Sequence, residues 1–177
     1  KYYNAGFNVI PIRLGRKNPC IPWASFAKER MDRKQLGYLL AQFQDENIAI
    51  VTGLVSGVAV VDIDGPEGMV IEERLPKTLT VETQKGRHYY FRITKPTKTG
   101  IRIFPQVDLK ADGSYVLAPP SVHPEGKIYS PVEGAKDFAL LPEWVVQAAE
   151  DREKKITTVG FSDAILKGVP EGERNVT

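Results

Sequence analysis

The chain consists largely of short apolar runs separated by Gly, Pro, Asn and charged positions, a pattern typical of short β-strands. Glycine-containing turns predict two hairpins, formed by residues 47–52 with 57–63 and by residues 78–83 with 88–94. Asp112-Gly113 is a further hairpin signal, which gives Asp112 a structural role. The full set of predicted strands is 7–12, 47–52, 57–63, 78–83, 88–94, 102–104, 107–110, 115–118 and 127–130.

Helical periodicity is confined to a few segments. Asp32 is expected to cap a helix that extends to Phe43. Residues 66–75, with a proline at an early position, predict a second short helix, and residues 143–153 and 160–167 predict two more. Because strands and helices are mixed and hairpins are frequent, we predict an α+β fold around a mostly antiparallel sheet.

Composition narrows the class of protein without identifying it. The 177 residues are 42% hydrophobic and 26% charged, which is ordinary for a globular domain. The one cysteine, Cys20, excludes an internal disulfide and a cysteine-rich zinc site, so we expect no zinc and a reducing, cytoplasmic setting. No apolar run approaches the ~20 residues that a membrane-spanning helix needs, so no membrane association is expected.

The distribution of charge is more informative than the net charge of +2. Seven basic residues and a single acid, Asp108, lie between Lys85 and Lys110. This segment predicts a local positive surface for phosphates, and the alternative is a solvated basic face.

Two aspartates at the end of an apolar strand form the first candidate site. Side chains alternate along a strand, so Asp62 and Asp64 share one face. Two neighbouring carboxylates repel each other, and a divalent cation relieves that repulsion. The alternative is a strand end with acids at the solvent edge, which is equally common for so short a motif.

Two further segments supply residues of complementary chemistry. His88 opens a strand beside the basic turn that contains Lys85 and Arg87, within reach of an anionic ligand; the alternative is a structural histidine at a strand end. Asp108 shares a strand face with Lys110 and offers a third carboxylate, and its alternative is a surface ion pair with Lys110 or Arg102, which contributes little.

Taken together, these residues match the requirements of nucleotidyl transfer. Three carboxylates can hold two metal ions that activate a 3′-hydroxyl and stabilise the in-line transition state at an α-phosphate. A histidine and basic residues can hold the triphosphate.

In this order along the chain, the motifs resemble those of the primase-polymerase branch of the archaeo-eukaryotic primase superfamily. Lys17-Asn18-Pro19 followed by Trp23 resembles an N-terminal signature of that family. Gly86 stands where much of the superfamily has Ser, so this chain offers a backbone N–H there and no hydroxyl. The remaining similar blocks are residues 61–64, 86–91, 107–110 with 113–121, and Gly172-Glu173-Arg174-Asn175, a segment that often follows this domain and opens a helical region.

The resemblance implies a fold in which an RRM-like (RNA-recognition-motif-like) catalytic half and a small N-terminal α/β half form one cleft. It implies a catalytic domain at residues 1–150, followed at 151–177 by the start of a helical or linker region that is truncated here. The implied activity is that of a DNA primase or DNA polymerase, adding nucleotides to a 3′-hydroxyl and releasing pyrophosphate. The implied catalytic and metal-binding residues, for Mg²⁺ or Mn²⁺, are Asp62, Asp64 and Asp108, and the implied nucleotide-binding residues are Lys85, Gly86, Arg87, His88 and Lys110.

The implied partners are a single-stranded or primed DNA template, dNTPs or NTPs, and a fused or associated helicase. The implied setting is the cytoplasm of a prokaryote, with a plasmid, phage or other mobile element, or a CRISPR locus, as the source. Two alternatives stay open at this point. One is a non-catalytic nucleic-acid-binding module of the same fold, and the other is a metal-dependent Asp-x-Asp glycosyltransferase that uses a nucleotide-sugar.

Overall fold

The computed structural model describes the backbone of residues 1–167 and the side chains of residues 1–158, so that Gly172–Asn175 lie outside the described residues. The α-helices are α1 (Arg33–Gln42) and α2 (Glu143–Lys167), and 3₁₀ turns occupy Tyr3–Ala5, Ala24–Ala27 and Gly68–Arg74. The strands are β1 (Asn8–Ile12), β2 (Asn47–Val51), β3 (Val58–Ile63), β4 (Thr80–Glu82), β5 (Arg87–Arg92), β6 (Gly100–Phe104), β7 (Val107–Lys110), β8 (Tyr115–Leu117), β9 (Ser130–Pro131) and β10 (Ala139–Leu140). This mixture of helices and mainly antiparallel strands agrees with the predicted α+β class.

The larger sheet has the order β6-β7-β3-β5-β4-β9, and β10 adds in parallel to the end of β5. Strand β3 lies at its centre because Val58–Val61 form a continuous apolar run that is buried on both faces. On one face, Val61 and Ile63 pack with Val145 and Ala149 of α2. That face is therefore covered by the helix.

The smaller sheet, of order β1-β2-β8, covers the other face of the larger one. Val60 and Tyr90 of the larger sheet share a hydrophobic core with Ile10, Ile50 and Val116 of the smaller sheet. The face of β3 that carries Val60 also carries Asp62, so the smaller sheet stands beside the predicted acidic site.

The predicted hairpin between residues 47–52 and 57–63 is wrong. Strand β2 pairs with β1 and β8, whereas β3 pairs with β5 and β7, so both edges of each strand are already occupied. A single bridge joins Gly53 to Val58. Gly53 has a φ of 103°, and a Cβ there would lie 2.4 Å from Oδ1 of Asp112, so the chain can turn here only at a glycine.

Asp112-Gly113 is not a hairpin turn either, because β7 and β8 belong to different sheets. The structural role predicted for Asp112 is confirmed. Its carboxylate accepts the backbone N–H of Leu54 and that of Thr97, both at 2.7 Å. These bonds hold the chain where it crosses from one sheet to the other.

The predicted hairpin of β4 and β5 and the predicted cap of α1 are both confirmed. Asp32 accepts the N–H of Gln35 at 2.7 Å, and the Gln35 side chain accepts the N–H of Asp32 at 2.8 Å, a reciprocal capping box. The two helices predicted at 143–153 and 160–167 are one helix, α2, which continues through residues 154–159 without a break. Within residues 1–167, no helix is long and apolar enough to cross a membrane.

Candidate active site

Strand register brings the three predicted motifs together. Asp62 of β3 lies directly opposite His88 of β5 on one side and directly opposite Asp108 of β7 on the other. Directly opposed residues of antiparallel strands point to the same face, so these three side chains share a face of the sheet. Asp64 follows two residues later, and its N–H donates to the carbonyl of Gln106 at 2.9 Å, which extends the ladder past the end of β3.

A cleft of about 360 Å³ lies where this face meets the smaller sheet. Asp62, Asp64 and His88 line it from the larger sheet. Lys17, from the loop after β1, and Tyr115, from β8, line it from the side of the smaller sheet. The two sheets therefore form opposite walls of one polar cleft, whose other lining residues are Lys110, Ser114, Val116, Leu117 and Tyr129.

Asp62 and Asp64 differ in their electrostatic surroundings. Burial by itself raises the pKa of Asp62. The contact with His88 lowers it, as do the positive charges of Lys110 and Lys17, and the pKa lies below its usual value. The pKa of Asp64 is raised, first by burial and then by the negative charge of Asp62. Asp62 is therefore kept ionised, and its negative charge makes ionisation of Asp64 less favourable.

The Asp62 carboxylate is not fully satisfied by its neighbours. Its side chain is only 12% exposed, and Oδ1 lies 3.3 Å from Nε2 of His88. Neither Oδ1 of Asp62 nor Nδ1 of His88 forms a hydrogen bond with any described residue. A buried polar atom without a partner is rare, and at this position it points to a ligand.

Both carboxylate oxygens of Asp108 have hydrogen-bond partners, unlike Oδ1 of Asp62. Its Oδ2 accepts from Nζ of Lys110 at 2.7 Å, and its Oδ1 accepts the backbone N–H of Arg102 at 2.8 Å. The ion pair with Lys110 that the sequence left as an alternative is therefore present. Across the part of the chain that the structure describes, no three His, Cys, Asp or Glu side chains are placed together to hold a metal ion.

Two residues predicted to bind a nucleotide, Arg87 and Lys85, do not line the cleft. Arg87 is opposite Ile63 in the register and so points to the face covered by α2, where its Nη1 lies 2.5 Å from Oε1 of Glu72. Lys85 is exposed in the turn before β5. Of the predicted nucleotide-binding side chains, only His88 and Lys110 line the cleft.

Gly86 is fixed by its contact with the backbone of β3. Its N–H donates to Oγ1 of Thr83 at 3.1 Å, so this donor already has a partner. A Cβ at Gly86 would lie 1.9 Å from the carbonyl oxygen of Ile63. Glycine therefore allows the turn to pack against the end of the strand that carries Asp62 and Asp64, and a serine does not fit this backbone.

The basic segment from Lys85 to Lys110 is not one positive surface. Lys95 lies 3.5 Å from Glu143, and Lys98 lies 2.9 Å from Glu153, so both lysines pair with acids of α2. The helix was identified from the sequence, but its position against these lysines was not.

Lys17 is the main cleft residue to which the sequence assigned no role. The Tyr115 hydroxyl donates to the carbonyl oxygen of Lys17 at 3.0 Å, and the Tyr115 ring packs edge-on against Trp23, with centroids 5.0 Å apart. These contacts fix the loop after β1 over the cleft. The only signal in the sequence was the block that contains Lys17 and Trp23.

Tyr129 and His123 also stand at this end of the cleft. The ring of Tyr129 lies 5.6 Å from that of His88, and burial with the charges of Asp62 and Asp64 raises the pKa of Tyr129 to about 12. His123 lies 6.3 Å from Tyr129, and its Nδ1 accepts the N–H of Glu125 at 3.1 Å. Neither residue stood in a motif, although Tyr129 lay in the strand predicted at 127–130.

The fold and the cleft define a mixed α/β domain whose acidic, histidine- and lysine-lined site suits an anionic ligand together with a cation. The chain belongs to the Prim-Pol family, described as "Bifunctional DNA primase/polymerase, N-terminal", whose sequence profile matches residues 1–144. The family resemblance inferred from the motifs is thereby confirmed. The matched range contains Lys17 and all three candidate acids. No curated protein matched the chain.

Proposed function

We propose that this domain is a template-directed nucleotidyltransferase that adds nucleotides from dNTPs or NTPs to a 3′-hydroxyl and releases pyrophosphate. The observation that carries the proposal is the register of β3, which sets Asp62 between Asp108 and His88 on the face that lines the cleft. Membership of the Prim-Pol family supports the same reaction class.

The two sheets are proposed as the two halves of the primase fold that the family resemblance implies. The larger sheet, which carries the acids and His88, is proposed as the RRM-like catalytic half. The smaller sheet is proposed as the second half, although one of its strands, β8, comes from the later part of the chain. The chain therefore returns to the smaller sheet after most of the larger sheet is formed, and the cleft lies between the two sheets.

The residues present fit a divalent cation at one edge of the cleft. Asp62 and Asp64 provide oxygen donors, and Oδ1 of Asp62 is buried without a hydrogen bond among the described residues. Oxygen donors suit Mg²⁺ or Mn²⁺ and not zinc. Asp108, opposite Asp62 on β7, would be the third ligand if Lys110 released its carboxylate. When bound, the metal supplies activation of the 3′-hydroxyl and neutralisation of charge at the α-phosphate.

The triphosphate is proposed to bind between the two walls of the cleft. His88 and Lys110 contact it from the larger sheet, and Lys17 contacts it from the opposite wall. Lys110 exchanges its carboxylate partner, Asp108, for phosphate oxygens as the nucleotide enters. Charge-assisted hydrogen bonds of this kind are the strong ones in such sites. Arg87 positions the turn through Glu72 and does not touch the nucleotide.

Primer extension tests the proposal directly. The protein is incubated with a labelled, primed DNA template, dNTPs or NTPs, and Mn²⁺, Mg²⁺ or a chelator. Extension with metal and none with the chelator is expected. If a well-folded sample incorporates neither dNTPs nor NTPs, the domain is not a polymerase in this form.

A non-catalytic nucleic-acid-binding module is the second candidate. The Asp108–Lys110 ion pair favours it, because one of the three acids is already neutralised. Under this alternative, the protein binds primed DNA but shows no metal-dependent incorporation. The same experiment, run alongside a DNA-binding measurement, separates the two functions.

A further inference from the structure

A groove of about 490 Å³ lies between the edge strand β6 and helix α2. Because α2 packs on the face of the larger sheet opposite the cleft, this groove is separate from the candidate active site. Ile103 and Phe104 contribute apolar surface to it. Its cations are Arg102, Arg152 and Lys155.

Among the described side chains, the three cations of the groove have no acidic partner. Within the described side chains, no carboxylate lies within ion-pair distance of Arg102, Arg152 or Lys155, and Nε of Arg152 is buried without a hydrogen bond. The one acid that lines the groove, Asp151, accepts from Gln147 at 2.9 Å and lies 3.9 Å from Lys154.

A second groove along α2 shows the opposite arrangement. There, Lys98 lies 2.9 Å from Glu153, and both residues line the groove. Cations are therefore neutralised on one side of the helix and left unpaired on the other. An unneutralised set of cations around a groove attracts a polyanion, and it costs stability through mutual repulsion when no anion is bound.

Arg102 joins this groove to the proposed metal site. Its backbone has a φ of 51°, a left-handed conformation, at the point where the pairing of β6 with β7 shifts register. Its N–H donates to Oδ1 of Asp108 at 2.8 Å instead of to a strand carbonyl. Arg102, which lines the groove, is therefore hydrogen-bonded through its backbone to Asp108, a proposed catalytic acid.

We propose that this β6–α2 groove binds the phosphate backbone of a single-stranded stretch of the DNA on which the active site works. Grooves that combine cations with apolar side chains are the usual platforms for single-stranded nucleic acid. The proposed role rests on the proposed function, but DNA binding by the groove can be measured without catalysis.

The test compares two variants that each remove two positive charges. Arg152→Gln/Lys155→Gln removes cations of the groove, and Lys77→Gln/Lys136→Gln removes exposed lysines that do not line it. Fluorescence anisotropy with a labelled single-stranded oligonucleotide gives Kd over a series of salt concentrations. The groove variant is expected to bind about tenfold more weakly at low salt, with a salt slope shallower by about 0.7 for each lost phosphate contact. The control variant should retain the wild-type slope.

Three outcomes overturn the proposal. In the first, the groove variant keeps the wild-type Kd and salt slope. In the second, the control variant loses as much DNA affinity as the groove variant. In the third, the groove variant loses dNTP affinity while its DNA affinity is unchanged. Because Arg152 is partly buried, Arg102→Gln/Lys155→Gln provides a second variant, and thermal melts check the folding of both. If wild-type protein binds DNA through the groove but never extends a primer, the proposed function fails and the groove stands. If it extends primers and the groove variants bind DNA normally, only the groove fails.

Discussion

Asp62 and His88 lie directly opposite each other on neighbouring antiparallel strands, with Oδ1 and Nε2 3.3 Å apart. Residues 26 positions apart in the sequence thus form one buried polar pair, in which Oδ1 of Asp62 and Nδ1 of His88 have no hydrogen bond to the described residues. The pair sits at the boundary between the proposed metal site and the proposed triphosphate site. Its two members should therefore respond differently to substitution.

His88→Ala is expected to weaken dNTP binding by about tenfold or more, because a charge-assisted hydrogen bond contributes about 1.5–3 kcal/mol. Arg87→Ala should leave dNTP affinity unchanged, since Arg87 points to the opposite face and pairs with Glu72. The Arg87→Ala substitution should lower the free energy of unfolding by at most about 1 kcal/mol. Isothermal titration and thermal melts of both variants measure these effects. A large loss of dNTP affinity in Arg87→Ala would restore the role predicted from the sequence.

The sequence identified which residues carry chemistry better than it identified where they lie. The alternation rule placed Asp62 and Asp64 on one face, and this was sufficient because Asp64 continues the ladder directly after β3 and both side chains line the cleft. It also separates Arg87 from His88, but a basic turn was expected to bring both to the ligand. The predicted pairing of the strands on either side of Gly53 was wrong, because a turn signal does not indicate which other strands occupy the edges of those two strands. The sequence assigned no role to Lys17, because only the packing of the two sheets brings this residue over the cleft.

Gly86→Ser would introduce the residue that much of the superfamily carries, yet this backbone does not accommodate it. The Cβ would meet the carbonyl oxygen of Ile63 at 1.9 Å and displace the end of β3. A destabilisation of about 1–3 kcal/mol is expected, as for other overpacked sites, with reduced primer extension. Gly37→Ser is the control, because a Cβ there contacts nothing within 4 Å. Equal melting temperatures for the two variants would show that the turn can move away from β3.

His123 should make stability depend on pH in mildly acidic solution. Burial lowers the pKa of His123 below its ordinary value of 6.5, with a further contribution from Lys17 and Lys85 that Glu125 and Asp64 partly oppose. The folded state then binds the proton less tightly than the unfolded state, so stability is full above pH 6.5 and falls as the pH decreases below it. Urea unfolding across this range should show a smaller decrease for His123→Gln than for the wild type. Identical pH profiles would contradict the lowered pKa.

Lys17→Met should weaken dNTP binding about tenfold, because it removes one cationic contact from the wall opposite His88. Arg16→Met removes a charge from the same loop at a residue that does not line the cleft, so it controls for general electrostatic attraction. Metal binding in the absence of nucleotide should be retained or strengthened in Lys17→Met, since the charge of Lys17 acts on both Asp62 and Asp64. The proposed role is excluded if the two variants bind dNTPs equally well.

Replacing Asp62, Asp64 or Asp108 singly by Ala is expected to abolish primer extension and leave the fold intact. The pKa of Asp64 is raised, so its charge opposes folding at neutral pH, and Asp64→Ala should be as stable as the wild type or more stable without metal. The stabilisation that Mn²⁺ gives to the wild type should decrease in each variant, because it follows the affinity of the metal for the folded state. Asp45→Ala, at an exposed position outside the cleft, is the control. Thermal melts with and without Mn²⁺, paired with primer extension, test the three assignments. Near-normal extension by Asp108→Ala would mean that Asp108 serves only as the ion-pair partner of Lys110. The metal site would then consist of Asp62 and Asp64.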